Sequence, residues 1–486
     1  MHLRRPVPLP MLVLLAAAAA AFAAGSPAAG AGMDGRTATR LLGDWHGRLD
    51  PNGARMRIAV HFTRAAGRVV GTLDSPDQQA SGLPIDSVYV RRDTLFFEMR
   101  AIGGRYRGVF SRDGGSLEGT WQQGTAQALN LVRGPLPEIA RVQEPAKPYP
   151  YAVEEVAVRN EAAGVTLAGT LTEPRGAGPF PAAVLIGGTG RGDRDLELQG
   201  HRPFLVLADR LARDGVAVLR LDDRGIGRST GRVGSATLED LAADVRAALG
   251  FLAARPELDR ARLGVIGHGE GSLVATMVAS GAKDVAFLVL LAGHGVPGDR
   301  ELVLQGDAVM RVMGEREDMI SWNHRLQDLM FAEVAAVPDS AQLHARLLKV
   351  IAAALQRLPP QQLARVSQAN LEEQAADMST RWFRSFLAFD PGPALRRVTC
   401  PVLAMTGGYD MQVPASDNLP AIESALTAGG NHDVHTIAMP NLNHRFQNAP
   451  TGSPAEYGNI EETFAPAALD SLSSWLGARV LKPAPR

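Results

Sequence analysis

One cysteine, Cys400, is present in 486 residues, so no disulfide can close within the chain. It sits in Val398-Thr399-Cys400-Pro401-Val402, an apolar run entering a predicted strand. A free cysteine there reads as a small buried hydrophobe, whereas a reactive thiol would want an exposed, electropositive surround. Neither sign of charge is in excess: 50 basic residues face 51 acidic ones, which argues against nucleic-acid binding through bulk charge. Four of the basic residues are lysines (Lys147, Lys283, Lys349, Lys482), which leaves 46 arginines. Aromatic residues make up 5% of the chain, yet 45% is hydrophobic, enough to exclude a mostly disordered protein and to fill two or three domains. After the N-terminus no run approaches the roughly 20 apolar residues of a membrane span, so no stable span is expected. Nucleotide fingerprints fail as well. From Gly188 the spacing G-x-G-x-x-G ends on Asp193, from Gly267 it ends on Ser272, and no Gly-Lys-Ser/Thr follows either. His432 and His435 have no third ligand at metal-site spacing. The expectation is therefore no cofactor and no metal.

The chain divides by its grammar. Residues 1–23 read as a secretory signal: Arg4 and Arg5 are basic, Met11 to Ala21 are apolar, and Ala21-Phe22-Ala23 is a small-x-small cleavage site. The mature protein is expected to be exported, periplasmic or secreted, after a disordered leader from Ala24 to Gly35. Residues 38–135 alternate with period two. Examples are Met56, Ile58, Val60 and Phe62, then Leu95, Phe97 and Met99, then Tyr106, Gly108 and Phe110, then Leu117, Gly119 and Trp121. That pattern predicts a small antiparallel β domain, barrel-like, with a packing or substrate-positioning role or, as a sharper alternative, a lipid-binding cup. Residues 136–150 are a stiff Pro-rich linker.

From 151 to 486 short apolar runs alternate with amphipathic helices. The runs are 182–186, 216–219, 263–266, 287–291 and 402–405, and the helices include 203–214 and 238–254. This is the pattern of a mostly parallel sheet with helices on both faces, an α/β fold. The helical interval at about 298–390 predicts a cap over the carboxyl edge of the sheet, where such folds bind ligands.

Chemistry concentrates at that edge. Gly267-His268-Gly269-Glu270-Gly271 follows a strand and precedes a helix, the context of a nucleophile elbow, whose tight turn demands small residues two before and two after its apex. The apex, where a serine hydroxyl would stand, is Gly269. Asp410 and His444 follow late strands in the order apex, acid, histidine, which suits an imidazole held in one tautomer and acting as general base. An oxyanion hole needs two convergent N–H groups. Glu270 after the apex and Thr189 in the loop Gly187-Gly188-Thr189-Gly190 are the candidates, with Gly188 letting backbone approach the ligand. His268 and His294 are candidate pocket residues. Ser272, three residues past the apex, is expected to point elsewhere. Trp382, Phe383, Phe386 and Leu387 give the cap an apolar part suited to an acyl chain.

With these residues in view, the sequence resembles bacterial α/β-hydrolase carboxylesterases that carry an N-terminal β-rich domain and a helical cap. The matching segments are 190–195, 221–229, Gly267-His268-x-Glu270-Gly271, 292–298, the Asp410 loop and Asn443-His444-x-Phe446-Gln447. The resemblance implies the α/β-hydrolase fold, a small-molecule ester or acyl ligand, and the roles of acid for Asp410 and base for His444. It does not supply a nucleophile, because Gly269 holds the serine position. Weak or absent ester turnover is expected, with a non-catalytic binder of an ester, acid or lipid-like ligand and a small-amide peptidase as alternatives.

Overall fold

The computed structural model describes residues 35–481 except 51–55, 77–79, 124, 138, 140, 189–190, 235, 359–362 and 364–367. The expected export signal at 1–23 lies outside the described residues, as does Thr189. Gly35, read above as the end of the leader, instead opens a helix, Gly35–Leu41.

Ten strands follow: β1 (Gly43–Leu49), β2 (Met56–Ala65), β3 (Arg68–Ser75), β4 (Ala80–Ile85), β5 (Ser87–Arg91), β6 (Thr94–Met99), β7 (Gly104–Phe110), β8 (Ser116–Gln123), β9 (Thr125–Ala128) and β10 (Leu131–Arg133). They pair in the order β4-β3-β2-β1-β10-β8-β7-β6-β5, with β9 on β8. The edge strands β4 and β5 are joined through Asp86 alone, so the sheet curls around its buried face. Side chains two apart enter that face, as alternation requires: Leu95, Phe97 and Met99 on β6, Tyr106 and Phe110 on β7, Leu117 and Trp121 on β8. Rings fill the interior; Phe97 stacks on Tyr106 with centroids 4.8 Å apart. Gly108 and Gly119 face each other across β7 and β8. A Cβ on either would stand 2.3 Å from the Tyr106 hydroxyl, so glycine makes the room for that phenol.

The expected linker is not a free spacer. Arg141 donates to the carbonyls of Gln199, Gly200, Gly458 and Ile460. Gln143 accepts from Thr463 N and Phe464 N at 2.6 and 3.0 Å.

The second sheet contains β11 (Ala152–Asn160), β12 (Val165–Glu173), β13 (Phe180–Ile186), β14 (Ala217–Leu221), β15 (Leu258–His268), β16 (Phe287–Leu291), β17 (Val402–Gly407) and β18 (Val434–Met439). Its order is β11-β12-β14-β13-β15-β16-β17-β18. β12 runs antiparallel to both its neighbours and the rest are parallel. This is the α/β-hydrolase architecture. Continuous apolar strands arise because both faces are covered. On β13, Ala182, Val184 and Ile186 join one core with helices Leu238–Ala253 and Gly271–Gly281. Ala183 and Leu185 join the other, with helices Pro203–Arg213 and Pro466–Leu476. Helix starts follow local chemistry: Thr237 accepts from Asp240 N, and Asp240 accepts from Thr237 N at 3.0 Å, a reciprocal cap. Between β16 and β17 lie helices Gly298–Val312, Glu317–Ala336, Ser340–Leu355, Gln368–Met378, Arg381–Leu387 and the short Pro391–Leu395. No helix among the described residues is long and apolar enough to cross a membrane.

A buried imidazole ties down the C-terminal segment. His201 lies 2.9 Å from both the Tyr457 carbonyl and the Thr463 hydroxyl, so Nε2 donates to the carbonyl and Nδ1 accepts. Burial, then the positive charge of Arg141, pushes this histidine down to about 4. The folded state therefore binds fewer protons than the unfolded one between about pH 4 and 6.5. Its contribution is complete above pH 6.5 and disappears as pH falls through about 4. After discounting for solvent screening it is on the order of 1–2 kcal/mol. We predict that His201→Gln shrinks the acid-side fall in melting temperature between pH 7 and 4, read by thermal melts in parallel with the unmodified chain.

Candidate active site

The carboxyl ends of β13, β15, β16, β17 and β18 converge, and the residues singled out from the sequence lie on the loops leaving them. Gly269 is the turn between β15 and the helix Gly271–Gly281, at φ +55°, in the left-handed region. Its N–H donates to the Leu291 carbonyl, and its carbonyl accepts from Ser272 N, both at 2.9 Å. A Cβ built on Gly269 would stand 3.3 Å from His444 Nε2. One bond further out, a hydroxyl would fall within hydrogen-bond reach of that nitrogen.

The turn is tight because backbone packs on backbone. A Cβ at Gly267 would meet the Gly271 carbonyl oxygen at 2.3 Å, and one at Gly271 would meet that of Ile186 at 2.0 Å. Gly188, at φ +83°, would place its Cβ 2.0 Å from Gly271 N. These contacts bring the end of β13 against the first residues of the helix. Glu270 N heads that helix beside them, and the second expected donor, Thr189, lies outside the described residues.

Asp410 and His444 meet as expected of a carboxylate and an imidazole. His444 Nδ1 lies 2.9 Å from Asp410 Oδ2 and 3.2 Å from Oδ1, so Nδ1 carries the proton and Nε2 is left as the acceptor. Asp410 Oδ1 also accepts from Gln412 N and Val413 N, both at 2.8 Å. The turn carrying His444 is fastened by Asn443, whose Oδ1 accepts from Arg445 N and Gln447 N. Phe446 completes it at φ +59°.

His268 does not open onto the cleft through its ring nitrogens. Its Nε2 donates to the His444 carbonyl at 2.9 Å, and the two rings stand 4.8 Å apart. Burial, then the charge His444 would carry, hold His268 well below the usual histidine range, which keeps it a neutral donor. His294 does line the cleft, with Glu270, Glu301, Gln305, Trp382, Phe386, Gln412 and His444. Ser272 is committed elsewhere: its Oγ accepts from His294 N at 3.0 Å in a buried position. Of the four apolar cap residues, Trp382 and Phe386 face the cleft and stack with centroids 5.4 Å apart, while Phe383 and Leu387 belong to the core. Trp382 Nε1 donates to the Gly188 carbonyl at 3.1 Å, tying cap to loop.

Sequence reasoning passed over several contributors. Trp382 was read only for its apolar ring. Glu301 and Gln305, four apart on helix Gly298–Val312, present one helix face to the cleft. Asp222 and Asp223 hold the loop after β13. Arg194 makes a two-pronged contact with Asp222 at 3.1 and 2.8 Å, and Gly192 N donates to Asp223 at 2.7 Å. Paired aspartates before an arginine carried that signal in 221–229, but their partners lie some 30 residues upstream. Among the described residues no group of three or more His, Cys, Asp or Glu side chains is placed to hold a metal. Cys400 is half-buried and packs against the core, and burial pushes its thiol up to about 12.

The two positive-φ glycines should respond differently to a methyl group. Gly269→Ala carries mainly backbone strain, about 1–3 kcal/mol, because its Cβ meets only the His444 ring edge. Gly188→Ala adds a collision with fixed backbone and should cost clearly more. Urea unfolding of both variants measures the order, and equal losses would contradict it.

Residues 202–450 match the protein family described as "Serine aminopeptidase, S33". The esterase EstD of Thermotoga maritima is 24% identical over 314 residues, 64% of this chain and 65% of EstD. The chain thus spans a little under two thirds of that curated relative's length. Similar solved structures include an esterase of Pyrococcus furiosus, with 16% identity, TM-score 0.41, and 68% and 92% of the two chains covered. A hypothetical protein of Pseudomonas aeruginosa gives 17% identity, TM-score 0.44, and 69% and 96% coverage. With the family matched from the helix after β13 to the turn bearing His444, this chain belongs to the serine aminopeptidase family of α/β-hydrolase proteins.

Proposed function

We propose that this protein is an exported member of its hydrolase family that receives a small ester or acyl ligand in the capped cleft, with weak turnover because position 269 has no side chain. The observation that carries the reading is the placement of Gly269: a Cβ there would face His444 Nε2 at 3.3 Å, where a nucleophilic hydroxyl would be activated. Asp410 and His444 are then the acid and base, and the N–H groups of Glu270 and Thr189 are the oxyanion donors. Gly188, His268 and His294 shape the pocket and hold its parts. The stacked Trp382 and Phe386 suit an acyl chain. EstD's description as an esterase supports an ester over an amide; the family description keeps the amide as the second reading. The basic, apolar and small-residue pattern of 1–23 supports export.

Without a serine, covalent acyl transfer is closed. What remains is a water in the space beside Gly269, deprotonated by His444 Nε2 while Asp410 steadies the imidazolium. Water lacks the fixed position of a tethered hydroxyl, so removing the nucleophile leaves only the part of catalysis due to the oxyanion donors and binding, about 10³–10⁴-fold over the uncatalysed rate in other hydrolases.

Hydrolysis of p-nitrophenyl acetate and butyrate by three proteins tests this. Gly269→Ser is expected to exceed the unmodified chain by at least about 10²-fold in kcat, and adding His444→Ala should abolish the gain. An unmodified chain already as fast as Gly269→Ser would show that the nucleophile lies elsewhere. Fluorophosphonate should label Gly269→Ser and leave the unmodified chain unlabelled.

A further inference from the structure

A buried pair of charged side chains faces the cleft with its hydrogen bonds unmade. His294, on the loop after β16, is 4% exposed, and Glu301, on the cap helix Gly298–Val312, is 1% exposed. His294 Nδ1 and Glu301 Oε2 are 3.5 Å apart, within ion-pair distance but without hydrogen-bond geometry. Neither ring nitrogen of His294 and neither carboxylate oxygen of Glu301 has a hydrogen-bond partner among the described residues. Buried polar groups left this way are costly.

We propose that His294 and Glu301 recognise a hydroxyl group on the acyl part of the bound ester; this rests on the ester-pocket reading above. Burial opposes a charge on His294, but the nearby carboxylate of Glu301, with the charges of Glu270 and Asp410, outweighs it and raises the imidazole above its usual range. A proton on His294 leaves donors on that side, facing the carboxyl oxygens of Glu301 as acceptors on the other. A hydroxyl donates to Glu301 and accepts from His294 through one atom, as a bridging water would when no ligand is bound. A carboxylate ligand would meet Glu301 and Glu270, both lining the cleft. An ammonium would satisfy Glu301 but leave the imidazolium facing a like charge. Gln305 lines the same wall one turn on, and the stacked Trp382 and Phe386 flank it for the hydrocarbon.

The test is calorimetric binding of ethyl butyrate, ethyl 2-hydroxybutyrate and ethyl 3-hydroxybutyrate to the chain as it stands, with no need for turnover. At least one hydroxy ester should bind about tenfold or more tighter than ethyl butyrate, because a polar site rejects an analogue that leaves it unpaired. Glu301→Leu and, separately, His294→Leu should each bring that ratio toward one. Equal affinities for all three esters would overturn hydroxyl recognition and leave the ester pocket standing. A preference surviving both substitutions would overturn the assignment to this pair. Failure of all three esters to bind would remove the ester-pocket reading, and this inference with it.

Discussion

Backbone packed directly on backbone at the carboxyl edge of the central sheet is the constraint on which the site depends. Gly188, Gly267 and Gly271 each sit where a Cβ would stand between 2.0 and 2.3 Å from another residue's main chain. With those three side chains absent, β13, β15 and the helix that follows can close to contact, and Gly269 is carried to the tip of the turn. Any methyl group at the three packing positions would separate the loops. His444 would then stand at a different distance from position 269, and the N–H of Glu270 would turn away from the loop after β13.

The loops meeting there are each fastened by a short-range device, which lets the geometry persist on irregular chain. Asp410 is fixed by two N–H donors from its own loop before it touches His444. Asn443 closes the turn of His444 on itself. His268, kept neutral by burial, fastens that turn back to the elbow. Below, Arg194 bridges Asp222 and Glu155, and Gly192 leans on Asp223, so the Gly-rich loop hangs from two aspartates. Above, the Trp382 indole reaches the carbonyl of Gly188. The Asp410–His444 pair is thus held from below, behind and above, beside a turn whose apex, Gly269, has no side chain.

That apex poses stability against activity. A left-handed turn strains every residue but glycine, so a serine there would be held against a conformational cost, and glycine relaxes it. The surrounding groups keep the arrangement that a hydroxyl would need, and the buried His294–Glu301 pair keeps polar capacity turned toward the cleft.

How much of this was legible in the sequence differs from part to part. Period-two alternation from Met56 to Trp121 and the apolar runs of β13 to β17 follow from which faces must leave water, so strand identity and the α/β class could be read directly. The elbow could be read because its glycines are a steric requirement with fixed spacing, and Asp410 and His444 because each follows a strand in the order the chemistry needs. Long-range partners carry no such local mark. The hairpin of β11 and β12 lacked a clean period, since polar residues interrupt β11 along its exposed edge. Arg141 and Gln143 read as a spacer because their partners lie about 60 and 320 residues away. Glu301 stands in the first turn of a helix, a place acids commonly take, and only the closure of the cap over the sheet makes it a buried neighbour of His294. Sequence by itself determined the sheet and the tight turn with glycine at its apex, because these rest on local sterics and hydrophobic periodicity. The tertiary structure alone decided which polar atoms were left facing the cleft, because that depends on burial and on partners hundreds of residues apart.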